Sequence, residues 1–192
     1  MEQQVMNILI VGVGGQGTIL ASRVLSGVVQ AAGYDVKVSE IHGMSQRGGS
    51  VVTQVRYGQK VASPIISAGS ADIILAFELL EALRWQPSLK PGGKMIVNTQ
   101  EMNPMPVVVG AAEYPKDALE QIQKRSETVA LNALEVALSC QNPKGVNVVL
   151  LGVLSTMMPI AEEIWLDVLK RTVPAKFLEA NLAAFAAGRK LG

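Results

Sequence analysis

Ile8-Leu9-Ile10-Val11-Gly12-Val13-Gly14-Gly15-Gln16-Gly17 is the stretch that decides the fold. Four apolar residues in a row, starting at Ile8, predict a strand covered on both faces, over Asn7–Val13. From Gln16 to Ala32 the period lengthens: Leu20, Val24, Val28 and Ala31 fall on one helical face, and Gly33 supplies a stop. Asp35–Ile41 then alternates, with Val36, Val38 and Glu40 against Lys37, Ser39 and Ile41. Strand, glycine turn, helix and strand make a βαβ opening. Gly12, Gly14 and Gly17 fit G-x-G-x-x-G, a turn that lets an anion approach backbone amides at a helix N-terminus.

The next segment does not suit a dinucleotide domain. His42-Gly43-Met44-Ser45-Gln46-Arg47-Gly48-Gly49 runs into the alternating Val51–Tyr57 strand. A loop this short cannot hold a βαβ crossover, which needs a dozen or more residues. An antiparallel or edge element is expected here instead of a helix. Glu40 sits near the distance at which a nicotinamide site places its ribose-binding acid. The extra Gly15 and the amide of Gln16 make the first turn bare and polar. Dinucleotide, another anion, or a turn that binds nothing all remain open on these residues alone.

The loop at His42–Gly49 concentrates donors among glycines, and Arg47 suits a carboxylate or phosphate. A binding site or an interface fits it better than a solvated turn. It misses the G-x-S-x-G elbow by one residue, and His42 is the only histidine with no marked third triad member. A hydrolase is therefore disfavoured.

Further along, Ala71–Phe77 reads as a buried strand, Glu78–Trp85 as a short helix, and Pro91-Gly92-Gly93 as a turn into the strand Lys94–Asn98. Met102–Pro106 reads as irregular, Asp117–Arg125 as a polar helix and Val129–Leu131 as a short strand. From Ala133 onward the pattern is helical, interrupted at Asn142-Pro143 and Pro159. Glu78 and Glu81 are expected to be solvated or to complement a helix dipole, Met157-Met158 to pack in the core, and Cys140 to be a buried small hydrophobe.

Composition narrows the function. The 192 residues suit a single domain, 1–192, without repeats or linkers. Charged residues reach 17%, against roughly 25% in ordinary soluble domains. The shortage points to apolar surface covered by a partner chain, or else to a large self-contained core. A net charge of +1 without a basic run argues against nucleic acid. One cysteine is too few for a disulfide framework, an iron–sulfur cluster or a cysteine zinc site, so no metal site is expected. Met1–Gln4 lacks the basic region of a signal peptide, and no apolar run nears the ~18 residues of a membrane span. A cytoplasmic protein is the expectation.

Three segments, in order, resemble one family. They are Asn7–Gly17, Glu40–Gly49 and Val146-Asn147-Val148-Val149-Leu150-Leu151-Gly152, with Asn181–Phe185 and Gly188 also similar. The chain resembles the gamma-type domain of 2-oxoacid:ferredoxin oxidoreductases, and its His-Gly-Met-Ser-Gln-Arg-Gly-Gly form is most similar to the beta subunits of the indolepyruvate-specific enzymes. The resemblance implies an α/β fold, a Rossmann-like three-layer sandwich with a mostly parallel sheet and a helical C-terminal third. It implies oxidative decarboxylation of a 2-oxoacid, with coenzyme A taking the acyl group and ferredoxin the electrons.

Thiamine diphosphate, Mg2+ and iron–sulfur clusters are then expected on a larger partner subunit. This chain has no Gly-Asp-Gly followed by a distant Asn, and too few cysteines. The resemblance further implies that His42, Ser45, Gln46 and Arg47 face the shared cleft, Arg47 toward substrate carboxylate or coenzyme phosphate. Gly12, Gly14, Gly15, Gln16 and Gly17, with Gly48 and Gly49, would bring backbone amides to the same region. An isolated chain would be left to pair with a copy of itself. A nicotinamide dehydrogenase and a purely architectural subunit are the competing readings.

Overall fold

The computed structural model describes residues 5–42 and 49–192. Its centre is a six-stranded sheet in the order β2-β3-β1-β4-β5-β6. The strands are β1 (Met6–Val13), β2 (Asp35–His42), β3 (Ser50–Gly58), β4 (Ala71–Ala76), β5 (Leu89–Asn98) and β6 (Glu127–Leu131). β1, β4, β5 and β6 run parallel. β3 lies antiparallel between β1 and β2, which is the antiparallel element that the short loop requires.

The eight helices are α1 (Thr18–Ala31), α2 (Leu79–Trp85), α3 (Met105–Val108), α4 (Ala118–Gln123), α5 (Ala133–Ser139), α6 (Val146–Thr156), α7 (Glu162–Thr172) and α8 (Leu178–Arg189) among the described residues. Alternation along β1 sorts the two layers. Ile8 and Ile10 enter a core with α1, α5, α6, α7 and α8, while Leu9 and Val11 enter a smaller one with α2 and α4. The result is the expected three-layer α/β sandwich.

Several details depart from the sequence reading. Residues Pro91–Gly93 lie inside β5 as a register shift, because β4 pairs Ala71 with Leu89 and Ile73 with Lys94. Met105–Val108 winds into one helical turn instead of staying irregular. The Met157-Met158 expectation holds for Met158, which is buried, while Met157 is partly buried against the same core. Cys140 is likewise only partly buried.

α6 and α8 explain the two late sequence segments. A Cβ on Gly152 would lie 2.3 Å from the Phe185 carbonyl oxygen, and one on Gly188 would lie 2.0 Å from that of Val149. The helices cross backbone to backbone, a separation only glycine permits. Nearly every residue of α6 is buried, from Asn147 to Ser155.

Tyr57, at the far end of β3, is buried, and among the described residues its hydroxyl has no hydrogen-bond partner. Burial, with Tyr34 and Asp72 nearby, pushes its phenol up to about 12. The folded state thus holds this proton more tightly than the unfolded chain, whose tyrosines titrate near about 10. Stability tied to Tyr57 is complete below about pH 10 and is lost as pH rises through about 12. Tyr57→Phe is expected to match or exceed the parent by about 1 kcal/mol at neutral pH, since it removes an orphaned hydroxyl. Its urea unfolding midpoint should also fall less between pH 10 and 12 than the parent's.

Candidate active-site edge

The carboxyl ends of β1 and β4 lie side by side, and their crossovers leave on opposite faces through α1 and α2. Such a switch point opens a crevice in a doubly wound sheet. Here the crevice is filled by a side chain. Gln16 folds back so that Oε1 accepts from the Val13 amide at 2.8 Å. Its Nε2 donates to the Phe77 carbonyl at 3.0 Å and to Gln100 Oε1 at 3.2 Å. A Cβ on Gly12 would stand 2.8 Å from Gln16 Oε1 and 2.9 Å from Phe77 Cβ, so the first glycine of the motif makes room for this amide. Asn98, fully buried, extends the network: its Nδ2 donates to Phe77 O at 2.9 Å and its Oδ1 takes the Ala133 amide at 3.0 Å.

The turn's own amides divide into two sets. Gly14 N donates to Gly49 O at 3.0 Å, and Gln16 N to Val13 O at 3.2 Å. The amides of Gly15 and Gly17 have no protein partner among the described residues. Both residues have positive φ, 101° and 86°. Of the amides expected to face a ligand, those of Gly14 and Gln16 are therefore spent internally, and those of Gly15 and Gly17 remain. A cleft of about 580 Å³ adjoins them, lined also by Gln100, Met102, Leu134, Lys144 and Asn147. A larger cleft, about 810 Å³, lies at the opposite edge of the sheet beside Gly92, Gly93 and Glu127, away from the glycine turn.

The second glycine-rich segment begins and ends on this same edge. His42 pairs with Val51 where β2 meets β3, Ser50 pairs with Val13, and Gly49 O receives the Gly14 amide. Ser45, Gln46, Arg47 and Gly48 lie outside the described residues, as does the side chain of His42. Glu40, two residues before His42, is not brought to the glycine turn. β3 separates β2 from β1, which puts Glu40 about 10 Å away across two strand spacings. Its Oε1 accepts from Ser22 of α1 at 2.8 Å. The acid that a dinucleotide site would want is thus displaced by the inserted strand.

Sequence reasoning missed two carboxylates. Glu78 and Glu81 are 1% and 2% exposed, so the expectation that they are solvated is wrong. A buried carboxylate needs several donors, and each has them. Glu78 Oε2 takes the Glu81 amide at 2.8 Å and caps α2, the part of the expectation that holds. Its Oε1 takes the Met102 amide at 3.0 Å and the Tyr114 hydroxyl at 2.6 Å. Glu81 Oε2 accepts from Ser50 Oγ at 2.5 Å, and its Oε1 pairs with Arg84 at 2.6 Å. A recess of about 50 Å³ lies among these groups and Val13. The one available signal was a Glu at the N-cap position with another three residues on, the spacing of a capping box.

No group of three or more His, Cys, Asp or Glu suited to a metal occurs among the described residues. Residues 7–191 match the pattern of the family named Pyruvate ferredoxin/flavodoxin oxidoreductase. The chain belongs to that family. Indolepyruvate oxidoreductase subunit IorB of Thermococcus kodakarensis is 41% identical, over 96% of this chain and 94% of the relative.

Two solved structures share the pyruvate ferredoxin/flavodoxin oxidoreductase fold. The gamma subunit of keto/oxoacid ferredoxin oxidoreductase from Geobacter sulfurreducens superposes with a TM-score of 0.71 at 24% identity, over 97% of both chains. The 2-oxoglutarate:ferredoxin oxidoreductase from Magnetococcus marinus gives 0.75 at 21% identity, over 99% of this chain but 31% of that one. The family fold therefore occurs both as a free-standing chain and as one part of a longer polypeptide. Among the described residues of this family member, no helix is long and apolar enough to cross a membrane.

Proposed function

We propose that this chain is the small subunit of a cytoplasmic 2-oxoacid:ferredoxin oxidoreductase acting on indolepyruvate or a related aryl pyruvate, and inactive without its larger partner. The observation that carries the reading is the 41% identity to an indolepyruvate oxidoreductase subunit across nearly the whole of both chains. A chain with one cysteine does not fit an iron–sulfur cluster, and its motifs do not fit thiamine diphosphate with Mg2+. Those groups are assigned to the larger subunit, through which ferredoxin is reduced.

The contribution of this chain is a wall of the site. The Gly15 and Gly17 amides and Lys144 border one cleft and suit an anionic group, either coenzyme A phosphate or substrate carboxylate. Arg47, with His42, Ser45, Gln46, Gly48 and Gly49, faces the same ligands from the second segment. Thiamine diphosphate supplies carbanion stabilisation when bound to the partner. This chain orients the acid and the coenzyme and excludes water.

Affinity purification of the tagged chain from its source cells tests the reading. A larger iron- and thiamine-containing companion with indolepyruvate-dependent dye reduction supports it. A lone, iron-free protein that binds NADH defeats it. Within the active complex, Arg47→Ala is expected to lower kcat/KM about 10- to 100-fold, the value of one hydrogen-bonded ion pair, with assembly intact. Unchanged steady-state kinetics would remove Arg47 from the site, and loss of assembly alone would make the loop architectural.

A further inference from the structure

Between β5 and α4 the chain makes an excursion, and both of its ends close on a single atom. The Met102 amide and the Tyr114 hydroxyl each donate to Glu78 Oε1, at 3.0 and 2.6 Å. The other oxygen of Glu78 is engaged at the start of α2, so the carboxylate ties the excursion to a helix of the main fold. No residue from Met102 to Ala112 is charged. Inside the excursion, backbone bonds run from Val107 and Val108 to Pro104 and from Ala111 and Ala112 to Pro106, so the segment is self-contained. α3 has no buried residue, and Met105, Val108 and Val109 are 70%, 63% and 69% exposed. Core burial does not hold this turn in place. The two hydrogen bonds to Glu78 hold its ends.

The position matters because Met102 lines both the cleft beside the glycine turn and the recess beside Glu81. Gln100, the residue before this stretch but one, is the one that meets Gln16. We propose that residues 102–114 form a strap seated at the rim of the glycine-turn cleft through Met102, and that Glu78 and Tyr114 are positioning residues that set its seat. The choice of residues fits. Three donors converge on Glu78, and an ionised carboxylate accepts all of them, whereas a glutamine would turn its own NH2 toward one set. Burial, with Glu78 beside it, holds the Tyr114 phenol well above its ordinary range, so it keeps its proton for Glu78 into alkaline solution. A segment with no buried anchor and a polar clasp opens locally at low cost compared with global unfolding.

The seat is a property of this chain, while its effect on turnover rests on the small-subunit reading above. Two measurements keep these apart. Limited thermolysin digestion of the full chain compares the parent with Tyr114→Phe and Glu78→Gln, with cut sites read by mass spectrometry. Tyr114→Phe is expected to be cut about tenfold faster within residues 104–112, as when a hydrogen bond to a charged group is withdrawn from an opening equilibrium. Cutting elsewhere should be unchanged, and Glu78→Gln should behave at least as strongly. In the complex with its larger subunit, Tyr114→Phe is expected to raise KM more than it lowers kcat. Equal cutting rates in parent and both variants would overturn the seat. Faster cutting with both kinetic constants unchanged would overturn the positioning role. A parent complex without indolepyruvate-dependent activity would defeat the small-subunit reading, and the digestion alone would then decide the strap.

Discussion

Gly188→Ala is expected to cost about 3 kcal/mol, the upper end for a group forced into a filled space, and to lower the melting temperature by roughly 10 °C. Two effects oppose each other at this position. Alanine is the better helix former by about 1 kcal/mol, so on an open helix face the substitution would stabilise. Here the added carbon would meet the Val149 carbonyl oxygen at 2.0 Å, and backbone cannot rotate away as a side chain could. The helices must separate, which undoes packing along the whole crossing. Gly152→Ala, whose Cβ would meet Phe185 O at 2.3 Å, should act the same way. Both variants open one contact, so the double variant should cost less than the sum. Calorimetry on the three proteins checks this. A Gly188→Ala protein melting at or above the parent would refute the close crossing.

The second large effect is conditional on pH. In Gln16→Glu the acceptor facing the Val13 amide is kept, but the donor facing Phe77 O and Gln100 Oε1 is lost. An ionised carboxylate would then confront two oxygens in a crowded turn, at about 3–5 kcal/mol for an uncompensated buried charge. Protonation restores a donor, so the folded state should hold that proton more tightly than the unfolded chain does. With the folded-state pKa raised, the variant is most stable below the ordinary carboxylate range. It then loses stability as pH rises toward the raised folded value. Unfolding midpoints at about pH 3 and pH 8 should converge with those of the parent at the first and diverge at the second. A constant difference between the proteins across that range would mean that Gln16 does not sit among acceptors.

The βαβ opening and the antiparallel strand after the short loop were legible because both depend on local pattern and on chain reach. The apolar run at Ile8–Val11 reflects faces set by its own strand. The alternation at Val51–Tyr57, which reads as a half-buried strand, located β3 but not its burial, since Val51–Val55 are buried on both faces. What escaped depends on where hydrogen bonds end. Nothing near Gly14 in sequence says that its amide goes to Gly49, or that the Gln16 amide plugs the crevice to Phe77. Glu78 and Glu81 look like surface residues of a helix start because their donors, Tyr114 and Ser50, come from distant segments. Insertion of β3 between β1 and β2 is likewise a matter of sheet order, which pattern does not encode, and it moved Glu40 away from the turn. The late Gly152 and Gly188 stood out only as family-like, since a helix crossing leaves no periodic trace beyond the two glycines themselves.

α6 is buried along nearly its whole length, and part of its cover is α8, made only after α7 and the turn that follows it. During synthesis the apolar flank of α6 therefore leaves the ribosome before the helix that shields it. For that interval the nascent chain exposes a continuous greasy surface, the kind that chaperones hold and that aggregates seed from. Supplying more chaperone should therefore raise the soluble fraction of newly made protein.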